Sequence, residues 1–510
     1  EVAALTRATT GRLSGVTGTS TTPHSRDRRW TAALPSERSL AVLPFRFRGK
    51  QDDAYLAEAL TDELVDILSR TRGLRVAGSG ATAKYAGRQD RDPRVVGEEL
   101  GVDVLVDGSV QMAGKRVRIT ARLEDVSNGF QLWSDRFDGL LEDVFELQDR
   151  MAKRIAEALR VELSNLIYRG EAPAEAVELY LRARQNIKSL QLGKDNADFV
   201  EMLERCLELA PEFKPALATH ALGCLREWFS PIHDDDRDWG ALTRKSVQRA
   251  LDQAPELADT HYASARLSVQ LGEYRQAAQG LARALEIAPT CAEYHEYLGR
   301  LQCEAGRTKI GVRHILLAHE LDPSLNMGLI DLARTHALRG EWEGYNKTLR
   351  EIRTRMGTQS VAAQLTQTRV SSWIRDVDAI RNVVDNLPEG ELNRIFLHCR
   401  ALLCSETALK RFIEVGESLS KRPDANLRFL TVTYQMGAEV MAFHKKYDRA
   451  LEFISRAADA VLVDIDWMKR CPLFDEIRET PEFRSAAQKV RHRAEAIWRV
   501  SVEIPALAAG

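Results

Sequence analysis

The chain has 510 residues, 72 basic against 74 acidic side chains, and a hydrophobic content of 44%. That length exceeds one compact core and predicts two to four domains, with a composition ordinary for a soluble protein. The formal charge of −2 gives no bulk attraction to nucleic acid or anionic membrane, and no apolar run approaches the ~20 residues that span a bilayer.

Residues 1–38 are rich in Thr, Ser, Gly and Arg. Such a segment buries too little apolar surface to offset ordering entropy, so it reads as a flexible linker. Arg28 and Arg29 form a twin arginine, but WTAALPSERS after them is no apolar signal core, and a cytoplasmic location is expected. Cys206, Cys224, Cys291, Cys303, Cys399, Cys404 and Cys471 are scattered, with no C-x-x-C. Neither a zinc site nor a redox pair has the needed spacing, and reduced thiols are expected.

The character changes over residues 39–165. SLAVLPFRF (Ser39–Phe47) begins as a buried strand, Leu56–Thr71 has helical apolar spacing, and LRVAG (Leu74–Gly78) is a second short strand. GSGATAKYAG (Gly78–Gly87) reads as a loop at the sheet edge, since it lacks the G-x-x-x-x-G-K-[ST] of a phosphate loop. Asp92–Gly101 is a short helix, with Pro93 suited to its first turn and Gly101 to its end. Asp103–Gly114 and Lys115–Val126 form a hairpin; in the second arm Val117, Ile119, Ala121 and Leu123 alternate with polar residues. FQLWSDRFDG (Phe130–Gly139) adds a strand and Leu141–Leu163 a long amphipathic helix. The order β-α-β-α-β-β-β-α predicts a mixed sheet covered by helices.

This segment resembles the TolB amino-terminal-like domain. The resemblance rests on VLPF (Val42–Phe45), Leu60-Thr61-Asp62-Glu63-Leu64, Glu99-Leu100-Gly101-Val102, Gly108-Ser109-Val110, Arg136-Phe137-Asp138 and Leu147-Gln148-Asp149. It implies a module of bacterial signalling proteins, placed after an output domain and before tetratricopeptide repeats. The output domain in such proteins is a winged-helix DNA-binding domain, a nucleotide cyclase or a Ser/Thr kinase. No catalytic residue comes with the module.

Beyond it the sequence repeats. Pro255, Pro289 and Pro323 are 34 residues apart, as are Gly272, Gly306 and Gly340, and Ala250, Ala284 and Ala318. That period is the tetratricopeptide signature, with Gly reversing the chain between two helices and Pro ending the second. Residues 166–357 are therefore expected to hold such repeats, with an insertion near 229–240. Residues 358–464 read as degenerate helical repeats, and 465–510 as a helical cap in which Trp467, Leu473, Phe474 and Phe483 cover the last apolar face. The fold class is an α/β mixed-sheet domain followed by an all-α solenoid.

First helices of such repeats line a groove. Arg266, Arg300 and Arg334 share one position at a spacing of 34 residues, with Tyr262 and Glu296 at another. They are expected to form a guanidinium ladder for a protein or peptide partner rich in carboxylates. His261 and His295 share a third position, but packing between helices explains them better than a metal does. G-x-S-x-G, H-E-x-x-H and the kinase motif set are all absent. No catalytic residue, cofactor or metal site is expected, and nucleic acid would be reached only through a domain preceding residue 1. The sequence reading is the regulatory half of a transcriptional regulator, with a cyclase or kinase, or a free-standing adaptor, as alternatives.

Overall fold

Proline 44 has no N–H to donate, and it divides the first expected strand into β1 (Arg38–Val42) and β2 (Arg46–Arg48). Both pieces pair in parallel with β4 (Val104–Ala113), β1 at Val104–Val106 and β2 at Ser109–Gln111. With β3 (Leu74–Ala77), β5 (Arg116–Asp125) and β6 (Gln131–Leu140), the sheet order is β3-β1-β4-β5-β6. The β4–β5 hairpin turns at Gly114, whose φ of +63° explains the glycine. The computed structural model describes residues 38–71, 74–159, 172–191, 199–229, 237–322, 325–357, 360–386, 394–403, 410–411, 413–414 and 425–498. The expected linker, most of the 229–240 insertion and Cys404 lie outside the described residues.

One face of the sheet is covered by α1 (Tyr55–Ser69) and, later in the chain, α3 (Val144–Leu159), which bury Leu40, Val42, Leu60, Leu64, Ile119 and Met151. The other face is only half covered. There α2 (Pro93–Leu100) packs Val96 over Ala41, Leu43 and Leu105. The Asp92 side chain accepts from the Arg94 N–H to cap that helix, and Gly101 ends it in the left-handed region. Gly78–Gly87 is not an open loop: Ser79–Thr82 forms a helical turn and Ala83–Tyr85 a 3-10 turn, which bring Ala81 and Tyr85 onto the same small core. A lack of motif chemistry had suggested irregular backbone, but the apolar side chains decide for helix.

Helices follow in hairpins: α4 (Ala174–Gln191) with α5 (Phe199–Leu209), α6 (Lys214–Phe229) with α7 (Trp239–Gln253), α8 (Ala258–Leu271) with α9 (Tyr274–Ile287), and α10 (Ala292–Glu304) with α11 (Thr308–Leu321). Then come α12 (Met327–Leu338) with α13 (Trp342–Met356), α14 (Val361–Trp373) with α15 (Val377–Asp385), and α16 (Arg394–Leu402). The last are α17 (Leu427–Phe443), α18 (Tyr447–Asp459), α19 (Ile465–Arg470) and α20 (Pro481–Trp498). Gly272, Gly306 and Gly340 close their helices at φ of +78°, +80° and +71°, which accounts for the glycine period.

The stack is not left open. Its first helices pass contact from α10 to α12, α14, α16 and α17, and α17 returns to pack on α8. The C-terminal segment does more than seal an end, because α20 packs on α9 and α10 as well as α18. Trp467, Leu473, Phe474 and Phe483 are buried, in one apolar core with Tyr274 and Leu298. The Tyr274 hydroxyl donates to the Val461 carbonyl, and the Trp498 indole N–H donates to the Ala305 carbonyl at 2.7 Å. The helices from α8 onward thus close into a ring.

The sheet domain shares an apolar core with the first helices, Phe145 packing on Tyr180 and Phe213, and polar contacts add to it. Arg184 on α4 pairs with Glu63 and Asp66 of α1, and the Tyr180 hydroxyl donates to Glu63 at 2.8 Å. At β3, Arg75 pairs with Glu320 and the Gly78 N–H donates to the Leu321 carbonyl. The Thr290 hydroxyl donates to the Ser69 carbonyl at 2.8 Å.

Candidate functional site

The 34-residue period does bring Arg266, Arg300 and Arg334 onto successive first helices, α8, α10 and α12. Their environments differ. Arg266 stacks against Tyr262 and Tyr297, its guanidinium 5.6 and 5.7 Å from the ring centroids. Arg300 is ion-paired with Asp331 on the next first helix and lies 6.0 Å from the Tyr297 ring. Arg334 is buried and paired with Asp464, between α18 and α19. Glu296 is buried and accepts from the Gly328 N–H at 2.6 Å. Tyr262 packs its ring 4.7 Å from that of Tyr294.

Two of the three arginines expected to form the ladder are thus engaged within the chain. Arg300 and Arg334 already hold carboxylates of the same chain, and Glu296 closes a backbone donor. A carboxylate-rich peptide would have to displace desolvated pairs, each of which becomes costly when one partner is left behind. The sequence pattern placed the arginines on one face. It did not reveal Asp331 and Asp464, because the second lies 130 residues from its partner.

Other residues that the sequence did not single out complete the inner face. Arg428 of α17 grips Glu304 of α10 through both carboxylate oxygens, at 2.5 and 2.6 Å. Arg369 of α14 does the same to Glu439 of α17, at 2.9 and 2.6 Å, and the Trp467 indole N–H donates to Glu439 at 2.8 Å. Burial opposes ionisation of Glu439, but Arg369 with His398 and Arg334 together outweigh it and hold the carboxyl below its ordinary value. For Asp464 burial dominates, and its carboxyl is pushed up to about 6 despite Arg334. Its Oδ2 also accepts from Gln435 at 3.2 Å, and its Oδ1 caps α19 at the Trp467 N–H, 3.0 Å away. The arrangement fastens distant helices through buried, forked ion pairs.

The histidines are structural here. His261 and His295 each place Nε2 against a proline carbonyl six residues earlier, Pro255 at 2.7 Å and Pro289 at 2.8 Å. His295 Nδ1 lies 3.0 Å from His314 Nδ1, and burial lowers the two rings to about 4 and about 3, so both are neutral near pH 7. Among the described residues no group of three or more His, Cys, Asp or Glu side chains is arranged to hold a metal ion, and no helix is long and apolar enough to cross a membrane.

Comparison with known proteins follows this division of the chain. Residues 36–154 match the second domain of HilA/YgeH-like transcriptional regulators, and residues 243–301 match the tetratricopeptide repeat. A protein of Rhizobium meliloti (strain 1021) named "Putative adenylate cyclase 3" is 34% identical over 233 residues, 44% of this chain. The chain spans only 38% of that relative's length. Among solved structures, Pseudomonas aeruginosa PilF is similar with a TM-score of 0.32 at 15% identity, covering 44% of this chain and 97% of PilF. Yeast Tom70 is similar with a TM-score of 0.34 at 13% identity, covering 86% of this chain and 85% of Tom70. In family terms, the chain joins a segment similar to a regulator's second domain to tetratricopeptide-type helices.

Proposed function

We propose that the chain is the regulatory, partner-binding portion of a bacterial signalling protein acting in the cytoplasm, with a sheet domain of the TolB amino-terminal-like type. It works by binding, and chemistry or recognition of promoter DNA belongs to other modules of the signalling assembly. The observation that carries this reading is the match of residues 36–154 to the second domain of transcriptional regulators. The joint between that domain and the helices supports it, since Arg184, Thr290 and Gly78 tie the two together and give a way for one to sense the other. With the inner face closed by internal pairs, partner contact falls to the outer helices, where Ile310, Leu316 and Trp342 stand exposed. The similarity to a cyclase-named protein supports a second reading, the regulatory half of a nucleotide cyclase.

Deleting the gene and tagging the native protein separates the two. A changed, defined set of transcripts whose promoters crosslink to the tagged protein supports the transcriptional reading. A fall in cyclic AMP without promoter occupancy favours the cyclase reading. Neither change would refute both.

A further inference from the structure

The uncovered half of the sheet is where charge is concentrated. On that face Asp107 of β4 is buried beneath three guanidiniums, Arg46 at 3.0 Å and Arg91 and Arg122 at 2.8 Å each. One carboxylate among three cations leaves a surplus of two positive charges. Strand register places further arginines on the same face. Arg46, Ser109, Thr120 and Arg136 form one row across β2, β4, β5 and β6. Arg48, Gln111, Arg118 and Asp138 form the next, and Arg116 stands beyond it. In these rows Asp138 is the acid, bound by Arg118 at 2.5 Å and approached by Arg136 at 3.4 Å. Glu124, near the hairpin's far end, is a further acid on this side, and the balance remains strongly positive. A chain of formal charge −2 thus hides a basic surface.

The surface has the size and lining of a strand-binding platform. Four strands span about 14 Å, and Arg116 to Arg122 covers about 20 Å along β5, with alternate residues repeating every 7 Å or about that. Hydroxyls of Ser109, Thr120 and Ser134 lie between the guanidiniums. At one end an open cavity of about 430 Å³ is lined by Asp90, Arg91, Asp92, Arg94, Asn128 and Phe130, with Arg94 paired to Asp92 at 2.8 Å. Phe130 is 72% exposed, so its ring face is open to a stacking partner. An acidic polypeptide would satisfy the arginines but give neither the ring nor the cavity a role. We propose that this face binds single-stranded nucleic acid, with its phosphates along the arginine rows and a base stacked on Phe130 at the cavity. The proposal goes beyond the regulatory reading and does not depend on it.

Fluorescence anisotropy of the full chain with a labelled single strand of about 12 nucleotides tests it, that length falling within known site sizes for sheet platforms. Saturable binding that weakens with salt is expected. The variant Arg48→Gln/Arg116→Gln/Arg136→Gln alters only exposed side chains and leaves the Asp107 cluster intact. It is expected to bind at least tenfold more weakly and to flatten the log–log salt slope by about 2, three contacts at about 0.7 each. Phe130→Ala should lose about tenfold while keeping the salt slope. Unchanged circular dichroism melting verifies that both variants fold. The proposal is overturned if the oligonucleotide does not bind at low salt, or if both variants bind it like the parent. Saturable binding to polyglutamate or anionic vesicles that the oligonucleotide cannot displace also overturns it.

Discussion

Replacing Arg334 with Met asks whether the ring is closed. The two paired side chains are 10% and 3% exposed, so the guanidinium of Arg334 is the charge that compensates a carboxylate shut away from water. Met keeps most of the alkyl packing and removes that compensation. Stripping one partner from a buried pair costs about 3–5 kcal/mol. Because burial already holds the Asp464 carboxyl at about 6, it takes up a proton readily, which points to the lower end of that range. Had Arg334 lined an open groove, the same substitution would change stability by no more than about 0.5 kcal/mol. The cycle with Asp464→Asn sharpens the test, since the two losses should fall short of additivity by about 1–3 kcal/mol. Guanidinium denaturation followed by far-ultraviolet circular dichroism gives the free energies. Hydrogen exchange in α12 and in the α18–α19 link shows whether both ends loosen together. Additive losses, or loosening confined to α12, would refute the closed ring.

Two glycines of the same period should respond differently to alanine. Gly272→Ala adds a methyl 2.7 Å from Val461 Cγ1 at a φ of +78°, so strain and collision together should cost about 2–4 kcal/mol. Gly340→Ala meets nothing within 4 Å at a φ of +71° and should cost about 1–2 kcal/mol, for backbone strain alone; equal melting temperatures for the two variants would contradict this. Glu293 supplies a pH dependence: burial, reinforced by the Asp66 charge, pushes its carboxyl from 4.5 to about 7. The folded chain therefore binds a proton that the unfolded chain releases, and stability falls as pH rises from about 4.5 to about 7. Glu293→Gln should be more stable than the parent by about 3 kcal/mol near pH 8 and no different near pH 4, as read from denaturation at both. A difference independent of pH would dismiss Glu293 as its source.

Much of the architecture was legible because it is written in local chemistry. Gly272, Gly306 and Gly340 occupy left-handed positions that other residues resist, and Pro93 and Gly101 mark helix ends by their own backbone limits. Alternation in Val117–Leu123 gave the strand and its buried face. The split at Pro44 was readable in principle from the missing N–H, but the apolar run around it hid the break. For the arginines, spacing speaks to position and not to environment. A spacing of 34 residues puts arginines on one face, whereas the carboxylates that claim them come from wherever the ring happens to close. The basic platform escaped for a related reason: its arginines come from β2, the stretch before α2, β5 and β6, and only the strand register brings them side by side.

Return of α20 to α9 also sets a timetable for synthesis. In a linear array each hairpin finds its neighbours as soon as both have emerged from the ribosome. Here Tyr274 awaits a carbonyl at Val461, and α9 awaits a helix beginning at Pro481, some 200 codons later. At 5–20 residues per second the wait is roughly 10–40 s. Throughout it the nascent seam presents greasy surface to the cell, so chaperones should engage this chain during translation at the first hairpins rather than the last.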